Sequence, residues 1–292
     1  ELLVKRADGG EQRQLTFTAS EISDPAWSPD GTQVAYCSNE NGNWDIYKAD
    51  LYSGEITQLT ADPSRDCEPS WSPDGNYIVF TSFRDGNFEI YRMNADGSDP
   101  VRLTASESAE SHPVWSPRGD WIAFIGNLHS STSDVYLMDA GGGNITQLTN
   151  GGQPDFDPVW SPGGDWIAYR TKMGDDDYTI SIVQVDSREK ILLVENHFNN
   201  HQPVWSPDGQ FLVFASNETE GDEKIEDADF NLYITPVSGG GYWAIVASPA
   251  NETNPTWSPD GLHIAYQTDQ DGVLEIYISN LDGSYLQRLT NN

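Results

Sequence analysis

Short apolar stretches recur along this chain at a near-constant spacing, each just after the same turn. Gln33-Val34-Ala35-Tyr36, Tyr77-Ile78-Val79-Phe80 and Trp121-Ile122-Ala123-Phe124 alternate or run apolar and are rich in β-branched and aromatic side chains. That pattern predicts strands with at least one buried face. Ahead of each stands P-x-W-S-P-x-G: PAWSPDG from Pro25, PSWSPDG from Pro69, PVWSPRG from Pro113, PVWSPGG from Pro158, PVWSPDG from Pro203 and PTWSPDG from Pro255. In Ser-Pro-Asp-Gly the proline brings a φ suited to the second turn position and the glycine is free to take positive φ, so each copy predicts a hairpin. A second hairpin follows in each repeat, clearest in EIYRMNADGSDPVRLT from Glu89 and EIYISNLDGSYLQRLT from Glu275.

The tryptophans stand at 27, 71, 115, 160, 205 and 257. Four strands in about 44 residues, repeated, is the signature of a propeller blade. The predicted fold class is therefore all-β: a six-bladed β-propeller of four-stranded antiparallel blades, forming a single domain over residues 1–292. The six tryptophans are expected to fill the gap between one blade and the next. The outer hairpin occurs a seventh time, as LLVKRADGGEQRQLT from Leu2, which leaves open an alternative of seven blades with one incomplete. In the six-bladed reading the N-terminal strands complete the last blade, and the surplus hairpin is a free sheet edge.

Charge narrows the choice of partner. A formal net charge of −31 repels phosphate backbones, which argues against nucleic acid, and no apolar run approaches the length of a membrane span, which argues against membrane insertion. The chain opens ELLVKR, with neither initiator methionine nor cleavage signal, and reads as a mature or excised form. Cys37 and Cys67 are expected on the same face of neighbouring blades, either as a disulfide, which suits an exported protein, or as two unrelated thiols.

The run P-x-W-S-P-D-G-x-x-I-A-F/Y, then I-Y-x-x-x-x-D-G and Q/R-L-T, resembles the TolB-like propeller repeat over essentially the whole chain. This repeat also furnishes propeller domains of serine peptidases and bacterial sensors, so it specifies fold far better than function. The resemblance implies a bacterial protein in a periplasmic or extracellular setting. It also implies that the residue before each repeat's first proline lies near the mouth of a central funnel. Those residues are Asp24, Glu68, His112, Asp157, Gln202 and Asn254, the expected binding residues. Departures from the repeat are Arg118 and Gly163 in place of the turn aspartate, ILLVENH in place of the usual ending of the fourth copy, and extra residues between Ala215 and Tyr233.

Two positions earlier stand Ile22, Asp66, Glu110, Asp155, Asn200 and Glu252. The carboxylates Asp66, Glu68, Glu110, Asp155 and Asp157 together suit a divalent cation such as calcium, and equally suit solvated strand ends. No catalytic residues are expected: there is no G-x-S-x-G elbow, and the repeated serine of W-S-P belongs to the turn. Related propellers that act on acidic sugars hold a metal with histidines and glutamine, which makes His112, His197, His201 and Gln202 the first suspects for a metal-dependent polysaccharide lyase. The acidic stretch NETEGDEKIEDADF from Asn217 reads as a solvated insertion. The leading expectation is a non-catalytic module that binds a protein, peptide or glycan ligand. The alternatives are the lyase and a gating or sensor domain of a larger polypeptide.

Overall fold

A computed structural model describes residues 1–219 and 228–290; most of the acidic stretch from Asn217 lies outside them. All regular secondary structure among the described residues is strand. The fold is an all-β, six-bladed propeller, each blade a four-stranded antiparallel sheet whose strands pair in chain order. The first strands are Ile22–Trp27, Asp66–Trp71, Ser111–Trp115, Asp155–Trp160, Asn200–Trp205 and Glu252–Trp257, so every one ends on the repeat tryptophan. The second strands, Gln33–Ser38, Tyr77–Ser82, Trp121–Gly126, Trp166–Lys172, Phe211–Ser216 and His263–Thr268, are the apolar stretches picked out by pattern. The chain divides into two compact units, residues 1–4 with 12–152 and residues 5–11 with 153–292.

The turn between first and second strands is built as its residues dictate. Ser72 Oγ donates to Asp74 Oδ1 at 2.6 Å and accepts from Tyr77 N at 2.9 Å, while Gly75 takes φ 72°. Where Arg118 removes the aspartate, Ser116 Oγ turns instead to Asp120 Oδ1 at 2.6 Å, so the turn survives the substitution. The Leu-Thr that closes most repeats is equally specific. Thr60, Thr104 and Thr149 accept at Oγ1 from Ile46, Ile90 and Val135 N at 2.8–2.9 Å, tying the outer strand to the start of the third.

Within the first unit, Ala35, Ile46 and Leu59 of one sheet pack with Trp71, Ile78, Phe80, Tyr91 and Met93 of the next. The same layer forms from Val79, Ile90 and Leu103 against Trp115, Ile122, Phe124 and Tyr136. In the second unit Ala168, Ile180 and Ile182 pack with Trp205, Leu212 and Phe214. Tight seating explains the outer-hairpin glycines: a Cβ on Gly97 would meet Leu59 O of the preceding sheet at 2.8 Å, and φ is 88° there. Indole N–H groups complete the contact, Trp71 donating to Ala26 O at 3.1 Å and Trp205 to Val159 O at 3.0 Å.

Two expectations need correction. Trp27 is not a filler: it is 54% exposed, whereas Trp71, Trp115, Trp160 and Trp205 are each 8% exposed. Nor do the N-terminal strands complete the last blade. Among the described residues Leu3–Lys5 and Gln12–Gln14 pair with each other in a two-stranded sheet, and the outer edge of the last sheet is held by its own Leu286–Arg288.

Candidate functional site

Each first strand contains a proline, and a strand interior has no use for a residue without an N–H unless the ladder is interrupted. It is interrupted in all six, by register shifts between Ser23 and Ala26, Cys67 and Ser70, Ser111 and Val114, Phe156 and Val159, His201 and Val204, and Thr253 and Thr256. The residue before each proline sits in the bulge with left-handed backbone: φ is 51° at Asp24, 59° at Glu68, 53° at His112, 52° at Asp157, 54° at Gln202 and 51° at Asn254. Such a conformation costs a non-glycine residue on the order of 1–3 kcal/mol. Glycine would relax it, yet all six positions carry a polar side chain.

In the first unit Glu68 Oε2 accepts from Thr81 Oγ1 at 2.7 Å and from the backbone N of His112 at 2.8 Å, and His112 Nε2 lies 3.4 Å from Glu68 Oε1. These groups border a cavity of about 210 Å³ lined by Arg65, Cys67, Glu68, Thr81, Phe88, Ser111 and His112. Asp24, exposed, accepts from Ser23 Oγ at 2.9 Å. Beside it Cys37 and Cys67 are buried and free, their sulfurs within 4.8 Å of each other and of an Asp24 carboxylate oxygen. The closeness of the two thiols pushes Cys37 up and Cys67 down, and the Arg65 guanidinium further favours the Cys67 thiolate. They are therefore neighbours across two sheets, and no disulfide joins them.

In the second unit Asp157 pairs with Arg170 Nε at 2.6 Å, and the guanidinium lies over the Tyr178 ring at 4.4 Å. Gln202 Oε1 accepts from Asn254 N at 2.7 Å and Asn254 Nδ2 donates to Gln267 Oε1 at 2.8 Å. A recurrent device emerges within each unit: the bulge side chain of one sheet accepts the backbone N–H of the next sheet's bulge, by carboxylate at Glu68 and by amide at Gln202.

Within each unit the carboxylates named for a cation differ in burial. A strand of period two would bring residues 66 and 68 to one side, but the left-handed bulge residue re-aims its side chain. Asp66, Glu110 and Asp155 are consequently buried among sheet groups, while Glu68 and Asp157 reach the surface. Asp66 is ion-paired with Arg84 at 2.8 Å, Glu110 accepts from Ser106 Oγ at 2.7 Å, and Asp155 from Thr171 Oγ1 at 2.6 Å. Among the described residues, the histidine, cysteine and carboxylate ligand atoms that gather in threes within 4.8 Å belong to Asp24, Cys37 and Cys67. His197 is exposed, and His201 packs edge-on to Phe230 at 4.5 Å, where burial pulls its pKa down to about 4 and keeps it neutral.

The buried carboxyls have a measurable signature. Burial pushes Glu110 and Glu252 each up to about 7. Folded pKa values above the unfolded ones mean that the native state holds the extra protons. Their stabilisation is full below about pH 4.5 and is lost as pH rises through about 7. Glu252→Gln should therefore raise the unfolding free energy by about 2–3 kcal/mol at pH 8 and change it little at pH 4.5. Urea titrations at the two pH values would show it, and an equal effect at both would contradict it.

The repeat and its bulges now meet the comparison with known sequences. The model described as the TolB beta propeller domain matches residues 1–133 and 122–292. The chain belongs to the TolB β-propeller domain family. Among curated relatives, the Tol-Pal system protein TolB of Xanthomonas campestris pv. campestris is 42% identical over 53 residues, which is 18% of this chain and 12% of that protein. Among solved structures, oligogalacturonate lyase from Vibrio parahaemolyticus superposes with a TM-score of 0.66 at 13% identity, covering 96% of each chain. A puromycin-hydrolyzing peptidase of Mycobacterium tuberculosis gives 0.76 at 16% identity over 93% of this chain and 47% of its own. At such identities the two structures share the fold. The TolB β-propeller domain thus accounts for the tryptophan repeat. Pattern reading found those six positions but not their backbone; the signal was a proline inside every first strand. It missed Arg170, whose one sequence cue was a cation after the apolar run 166–169 in the second strand of its sheet.

Proposed function

We propose that this chain is a non-catalytic binding module that takes a protein or peptide segment on the polar side chains of its first-strand bulges, in the periplasm or outside the cell. One observation carries the reading: six polar residues are held at positive φ where glycine would be relaxed. Strain repeated in register is a feature that a purely structural strand has no need of. Glu68 and His112 beside an open cavity, and Gln202 and Asn254 beside one another, offer preorganised acceptors and donors on a stiff sheet. The net charge of −31 supports a basic segment as the ligand, since opposite charge speeds encounter. The TolB relative, a component of the Tol-Pal system by name, supports a protein partner and an envelope setting.

Peptides selected from a displayed random library against the wild-type chain provide the test. Their affinity should fall at least about tenfold, some 1.4 kcal/mol, in a triple variant carrying Glu68→Gln, His112→Ala and Asp157→Asn. The melting temperature should shift little, because these side chains are partly solvated. Unchanged affinity in the variant would remove the bulges as the site. Release of ultraviolet-absorbing unsaturated sugar ends from an acidic polysaccharide, dependent on manganese and abolished by chelator, would replace the reading with the lyase.

A further inference from the structure

The place where Asp24, Cys37 and Cys67 meet recurs along the chain. It consists of a bulge residue, the second-strand residue paired beside that bulge, and the residue before the bulge of the next sheet. Between the second and third sheets these are Glu68, Thr81 and Ser111, and between the fourth and fifth they are Asp157, Arg170 and His201. The second set is joined by a hydroxyl-carboxylate bond and the fourth by an ion pair. At the first, the fold brings two sulfurs and a carboxylate together.

We propose that Asp24, Cys37 and Cys67 form a binding site for a thiophilic divalent cation of the zinc class, with two sulfurs and one carboxylate oxygen as protein ligands and water in the fourth position. The three ligand atoms lie within 4.8 Å of one another. Zinc–sulfur bonds of about 2.3 Å and zinc–oxygen bonds of about 2.0–2.2 Å bring tetrahedral ligands roughly 3.5–3.8 Å apart, so closure needs a shift of at most about 1.3 Å. Two cysteines select against calcium and magnesium, which prefer oxygen. Both thiols give up a proton on binding. The two thiolates, the carboxylate and the divalent ion then sum to a single negative charge, and Arg65 lines the same cavity as Cys67. Access is open, because Cys67 lines the 210 Å³ cavity and Asp24 is exposed. The cysteines lie on different sheets, Cys37 on Gln33–Ser38 and Cys67 on Asp66–Trp71, so the ion would clamp two blades that otherwise meet through packing and hydrogen bonds such as that from Trp71 to Ala26 O. Asp24 is shared with the bulges, whereas the two cysteines are not, so sulfur-to-metal bonding reads this site apart from any peptide binding.

The test uses the whole chain, reduced and freed of metal with chelator, and titrated with cobalt(II) and then zinc. The expected result is a sulfur-to-cobalt charge-transfer band with intense visible bands of tetrahedral cobalt, saturating at one ion per chain and bleached by zinc. Zinc should also protect both thiols from a disulfide reagent. Cys37→Ser and Cys67→Ser should each abolish the band, and Asp24→Asn, an exposed change that leaves the packing alone, should weaken zinc binding by about 100-fold. No charge-transfer band, a band that persists without either cysteine, or a Cys37–Cys67 disulfide forming in the presence of zinc would overturn the site. Should the serine variants fail to fold, unchanged affinity in Asp24→Asn together with unprotected thiols would do the same.

Discussion

Trp71→Ala and Trp205→Ala are each expected to lower the unfolding free energy by about 3–5 kcal/mol, the range for a large aromatic removed from a packed core. The same change at Trp27 should cost less than about 1 kcal/mol. All three occupy the same place in the repeat, so sequence alone ranks them equally. Trp71 and Trp205 are each 8% exposed, sit in an inter-sheet core and donate their indole N–H to the preceding sheet, whereas Trp27 is 54% exposed. Truncation of the buried pair leaves a cavity and an unpaired carbonyl, and truncation of Trp27 leaves neither. Denaturant unfolding of the three variants side by side is the measurement, and a large loss at Trp27 would mean that its ring is covered in solution.

Arg84→Ala should cost about 3–5 kcal/mol at pH 8, because it strands the carboxylate of Asp66 in the interior. Asp66 is fully buried and Arg84 mostly so, at 2.8 Å. Burial raises the Asp66 pKa, while Ser82 and Arg84 hold it down. Loss of the guanidinium leaves burial with less opposition and raises that pKa further. A raised folded pKa gives stability that is present at low pH and lost as pH rises through it, so the penalty should shrink at pH 5, where Asp66 can take a proton. Adding Asp66→Asn should recover most of the loss at pH 8. A penalty independent of pH would instead trace the loss to the stacking of Arg84 on Tyr91, whose ring lies 4.5 Å away.

The tryptophan spacing and the Ser-Pro-Asp-Gly turn made the six blades legible in the sequence, because both features act within a few residues of themselves. Leu-Thr was legible as a motif while its work was not, since Thr60 reaches back 14 residues to the backbone of Ile46. The bulges escaped for a different reason. Side-chain alternation assumes an unbroken strand, and a single left-handed residue breaks the assumption, which is why Asp66 and Glu68 read as partners in one cluster although Asp66 is buried and Glu68 reaches solvent. The Cys37 and Cys67 pairing was foreseen as adjacency on neighbouring blades. Asp24 was assigned separately to the funnel, because nothing in a linear reading brings a bulge side chain to a cysteine 13 residues ahead and another on the next sheet.

Strand pairing in strict chain order has a consequence for how the protein is made. Each four-stranded sheet draws all its hydrogen-bonded partners from one uninterrupted stretch, so no strand has to wait for a distant one before it can be satisfied. Loop-closure entropy is then met in short steps, and folding can advance along the polypeptide as it emerges, one blade laid against the last. A sheet with an early neighbour gains its tryptophan contact as soon as its own first strand is complete.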